Sequence, residues 1–132
     1  MSFQENFLSK VITAVNSGLS LFSDVKADSL SEGGGISVFS AGGGERTDFI
    51  DGDYRTELLL VFRIKAEDGK TALGAASELV RFFTNRPSFS GSGFETIHSG
   101  VKKQPSFVEK RNGFFIFETT VFVRVYVYGG AL

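Results

Sequence analysis

The chain has 132 residues, no cysteine, one histidine (His98) and a formal net charge of −1. That length predicts one domain, residues 1–132, able to bury about two-thirds of its unfolded surface. The near-neutral charge gives no bulk basic field for nucleic acid. The missing cysteine excludes disulfides, thiolate metal sites and cysteine nucleophiles, and one histidine leaves only a carboxylate-rich metal site to consider.

At the start, Ser2 and Glu5 of "SFQE" have capping-box spacing. Phe3, Phe7, Leu8, Val11, Ile12 and Val15 share one helical face, and Gly18 is a good stop, which predicts a helix over about residues 3–16. The opening "MSFQENFLSK" is polar and acidic before it is apolar, unlike a secretory signal. No run approaches the ~20 apolar residues of a membrane helix. Residues 19–22 are a short apolar stretch, either strand or packed loop. Residues 36–39 form a short strand between two glycine triplets, and a flexible Gly-rich polar loop follows around residues 40–53.

"YRTELLLVFRIKA" alternates Leu58, Leu60, Phe62 and Ile64 with Glu57, Leu59, Val61 and Arg63, a clear strand. "EDG" turns the chain into a second helix over about residues 71–83, with Ala72, Leu73, Ala76, Leu79, Val80 and Phe83 on one stripe and Pro87 beyond its end. "SFSGSG" reads as loop, residues 94–101 as a weak strand, and residues 106–111 as one arm of a hairpin turned by Asn112-Gly113. The other arm is "FFIFETTVFVRVYVYGG". One of its faces, Phe115 through Val127 at alternate positions, is almost wholly apolar. The other carries Phe114, Ile116, Glu118, Thr120, Phe122, Arg124, Tyr126 and Tyr128. At about 3.3 Å per residue this arm runs roughly 50 Å, whereas a chain of this size folds to a diameter of roughly 35–40 Å.

The fold class is therefore α+β: two helices on one face of a largely antiparallel sheet of four to five strands, with a long C-terminal hairpin. Two helices cover one face only. The second face, with Phe122, Tyr126 and Tyr128 or their opposites if the register is reversed, needs another cover.

Chemistry is sparse. Gly69-Lys70-Thr71 follows a strand as in a phosphate loop, but Ile64 stands where that motif needs glycine, so it reads as a turn and helix start. Asp48, Asp51, Asp53 and Glu57 lack the order of a calcium loop and read as solvated acids. His98 has no nucleophile at recognisable spacing. Glu118 inside an apolar strand fits a cross-strand ion pair or an edge guard better than a catalytic carboxylate. Lys102-Lys103 and Lys110-Arg111 fit a solubilising patch near the hairpin tip. Nothing brings together a nucleophile, a base and an oxyanion site, so no enzyme, cofactor or metal is predicted. The residues with the best character for contact with other proteins are Arg46, Asp48, Phe49, Asp51 and Asp53 in the polar loop, which give charge and one aromatic anchor. Phe122, Arg124, Tyr126 and Tyr128 on the last strand join them.

The order of these parts resembles a family of minor capsid or tail terminator proteins of long-tailed bacteriophages. The resemblance runs through the N-terminal helix, "ISVFSAGGGERTDFIDGDY", "TELLLVFRIKAEDGKTALGAASELVRFF" and "PSFVEKRNGFFIFETTVFVRVYV". It implies a structural virion protein, made in the bacterial host cytoplasm, that forms a homo-oligomeric ring, commonly hexameric. Such a ring ends tail-tube growth and joins the tube to the head connector. Its subunits pair sheet edges, and DNA passes through the lumen without specific binding. No catalytic residue and no membrane are implied. Two alternatives stand beside it: another tube or connector adaptor of a phage particle, and a small-ligand-binding regulatory domain whose glycine loops close over a ligand.

Overall fold

The computed structural model describes residues 3–27, 33–85, 87–91 and 93–129, the side chains of residues 43–45 excepted. Helix α1, Phe3–Gly18, buries Phe7, Val11 and Val15 at four-residue spacing. Ser2 of the expected capping box lies outside the described residues. Helix α2, Gly69–Thr84, starts two residues before the expected point, because the Asp68 side chain accepts the Lys70 N–H at 3.0 Å and caps the first turn. Its inward stripe is Ala72, Ala75, Ala76, Leu79 and Phe83.

Among the described residues six strands form one sheet: β1 (Val25–Ala27), β2 (Gly35–Asp48), β3 (Tyr54–Ala66), β4 (Ser90–Gly91), β5 (Phe94–Arg111) and β6 (Phe114–Val127). Their order is β1-β2-β3-β6-β5-β4, and only β1 and β2 run parallel. The α+β class stands, with six strands where four to five were expected. The additions are the short β1 and β4. β1 is held from outside its own sequence. Asn16, at the end of α1, donates to the Val25 carbonyl at 3.2 Å and accepts its N–H at 2.9 Å.

The centre of the sheet is regular. β3 and β6 pair from Tyr54↔Val127 to Ala66↔Phe115 with no shift. Leu58, Leu60, Phe62 and Ile64 therefore stand beside Val123, Val121, Thr119 and Phe117 on the helix face. Phe62 meets Phe83 of α2 there at 5.7 Å between centroids. Phe94 meets Phe3 and Phe7 of α1.

The flanking strands are irregular. The expected loop at 40–53 is strand as far as Asp48, and only residues 49–53 turn the chain. Glycine and charge suggested a loop, but the free backbone groups along β3 give this segment a ladder to join. Two bulges, between Ser40 and Gly43 and between Gly43 and Arg46, each take up one residue. Likewise residues 94–101 and 106–111 belong to one strand. β5 carries four bulges against β6, each with one extra residue, which accounts for its 18 residues against 14. The Lys103 carbonyl, lying between two of these bulges, is taken up by the Thr119 hydroxyl at 2.7 Å. The Asn112-Gly113 turn is as expected, with φ of 51° and 83° at its two residues.

Both helices lie on the face of Leu60 and Val121. Among the described residues no helix or strand covers the other face. That face is concave: Ser37 and Phe39 of β2 line the same groove as Val108, Glu109 and Arg111 of β5, across the two intervening strands. Among the described residues no helix is long and apolar enough to cross a membrane.

Candidate assembly surface

One end of the open face is built by the 49–53 turn against the end of β6. The Phe49 N–H donates to the Asp53 carbonyl at 2.8 Å, and the Gly52 N–H donates to Phe49 at 3.1 Å. The Asp51 carboxylate accepts the Asp53 N–H at 3.1 Å. Asp53 then ties the turn to the last strand. It accepts the Tyr126 hydroxyl at 2.7 Å and the Gly129 N–H at 2.6 Å. A Cβ on Gly129 would sit 2.7 Å from the Gly52 carbonyl carbon, so only glycine allows this approach.

These bonds set the electrostatics. The Tyr126 hydroxyl and then the Gly129 N–H hold the Asp53 carboxyl below its ordinary value. The same bond to Asp53, helped by desolvation, pushes the Tyr126 phenol up to about 12. Tyr128 donates to Glu95 at 2.9 Å, and that bond raises its phenol as well. Phe49 stacks on Tyr126 at 5.8 Å, Tyr126 meets Tyr128 at 5.1 Å, and Arg55 lies over Phe49. Ile50, at the tip, is fully exposed.

The middle of the face is polar over an apolar floor. Glu57, whose side chain is only 10% exposed, stands between Arg124 at 3.4 Å and Lys102 at 3.6 Å. His98 rests on the Phe122 ring at 5.5 Å. Toward the far end Glu118 receives Arg63 at 2.7 Å, the cross-strand pair expected for it. Beyond it lies the groove, of about 450 Å³, with Arg63, Lys65 and Arg111 at its rim and Ile116 in its wall.

Of the residues singled out for contact, the turn and strand bring Phe49, Asp53, Tyr126 and Tyr128 into one cluster, with Asp51 stabilising the turn. Phe122 and Arg124 continue it along the open face. Arg46 and Asp48 go elsewhere. They bond each other at 2.9 Å, and Arg46 lies 3.8 Å over the ring of Tyr54, which is buried on the helix face. The four acids that lack calcium-loop order are held otherwise: Asp48 by Arg46, Asp51 by the Asp53 N–H, Asp53 by Tyr126 and Gly129, Glu57 by Arg124 and Lys102. No group of three or more potential ligands occurs among the described residues. Lys70 and Thr71 serve the helix start. The basic patch is dispersed: Lys102 reaches Glu57, Lys110 lies over Phe115, and Arg111 pairs with Glu109. Ile50 and Glu95 were missed. A lone isoleucine among loop residues gives no periodic signal, and Glu95 is defined by Tyr128, 33 positions away.

No family model matches the chain, and no curated protein matches it.

Proposed function

We propose that this chain is a structural protein of a long-tailed phage particle. It assembles as a ring, commonly of six copies in the family it resembles, which ends the tail tube and joins it to the head connector while DNA passes through the lumen. The observation that carries the reading is the one-sided sheet. A concave face of six strands has no element over it among the described residues, and at one end it holds an ordered aromatic turn tipped by an exposed isoleucine. Exposed apolar surface held in a fixed shape is what a protein interface needs.

The β5 edge is a poor route to assembly. Four bulges bend the strand, Pro105 lacks a backbone donor, and Lys102, Lys103 and Lys110 put charge along it, the usual defences against strand addition. The face and the 49–53 turn are therefore favoured over pairing along the β5 edge.

Negative-stain electron microscopy of the protein mixed with tail tubes tests the reading. Closed rings seated on tube ends are expected. Tubes with bare ends at saturating protein would overturn it.

A further inference from the structure

Between the aromatic turn and Glu57, the open face holds a cavity of about 190 Å³ lined by Thr47, Arg55, Glu57, Ile97, His98 and Arg124. Its charges are unbalanced. Arg55 has no ion-pair partner among the described residues, and it lies over the Phe49 ring at 5.7 Å. Arg124 meets Glu57 only through Nε, at 3.4 Å. The His98 ring touches Phe122 and has no hydrogen-bond partner among the described residues. Glu57 is the one carboxylate in the lining, which it shares with Arg55 and Arg124, and Lys102 meets it from just outside. Its two oxygens divide between Arg124 and Lys102, which fixes those cations from two neighbouring strands.

We propose that this cavity binds a phosphate group. Planar guanidinium forks match tetrahedral oxyanions in two-point contact. Arg55 and Arg124 stand on directly paired strands, two registers apart, with the hydroxyl of Thr47 and the imidazole of His98 in the same lining. Within the lining, two guanidiniums stand against one carboxylate, which leaves a positive charge open to an anion. A cavity of this size takes a phosphate group and a few further atoms, so specificity for a whole nucleoside is not expected. The cavity lies on the open face proposed above for assembly, whereas the phosphate assignment rests on its lining alone.

His98 is the only histidine in the chain, so one imidazole signal reports this site alone. The experiment is titration of inorganic phosphate into the full chain at constant ionic strength, followed by the His98 ring resonances. A saturable shift is expected. In Arg55→Gln, a change at an exposed residue with no ion pair, the shift should need about ten-fold more phosphate, as loss of one charge-assisted contact gives. Lys110→Gln, at the far hairpin tip, should leave it unchanged. Parallel titrations with a nucleoside monophosphate and a short single-stranded oligonucleotide distinguish the source. The probe that saturates lowest identifies a phosphomonoester or a phosphodiester. A His98 signal unmoved by all three probes overturns the assignment, as does an equal response in wild type and Arg55→Gln.

Discussion

The hydrogen bond from Tyr126 to Asp53 joins the 49–53 turn to the sheet, and its two partners titrate in opposite directions. The Asp53 carboxyl is depressed, so its contribution to stability is present above the ordinary value of 3.8 and is lost as pH falls through the lowered value. The Tyr126 phenol is raised to about 12, so its contribution is complete below its ordinary value of 10.0 and is lost as pH rises through about 12. Melting curves of wild type and Tyr126→Phe should therefore differ by a constant amount between about pH 5 and 9 and converge toward both extremes. A difference that stays constant through pH 12 would show that the bond is not formed. In the core, Val123 is fully buried beside Leu58. Val123→Asp would bury a charge with no partner, at a cost above about 4 kcal/mol, and circular dichroism should report an unfolded chain.

Elements were legible in the sequence where their periodicity is unbroken. Tyr54–Ala66 has the bounds that its alternation predicts, because it pairs with β6 through thirteen registered positions without a shift. β5 reads as two pieces in the sequence because each of its four bulges swaps the face of every later residue, so no single alternation runs along it. β2 was hidden by its glycines, and β1 depends on an asparagine nine positions away that no local pattern announces. The site was legible in its residue types but not in its layout: Asp53 and Tyr126 meet across 73 positions. Two expectations follow at this scale. Replacing residues 42–52 with a short Gly-Ser link removes half of β2 along with the turn, so the melting temperature should fall by several degrees, as loss of about 1–2 kcal/mol gives in a domain of this size. An unchanged melting temperature would mean that the second half of β2 adds nothing. Replacing Lys103 and Pro105 of β5 with valine should remove the edge defence, and thioflavin fluorescence after agitation should rise above wild type.

For the whole molecule, the one-sided arrangement of helices and sheet is the feature that asks for a partner. Helices and curl bury one face well, and Ile50, Phe49 and Tyr128 remain exposed at the end of the other. Ile50 is fully exposed, so Ile50→Asp should leave melting unchanged and weaken association. The mass of the particle in solution tests self-association most directly. Light scattering after size exclusion, over a wide concentration range and with tail tubes added, should give a closed multiple of the chain mass for wild type, six copies in the expected ring, and a smaller species for Ile50→Asp. A strict monomer in every condition would contradict ring assembly.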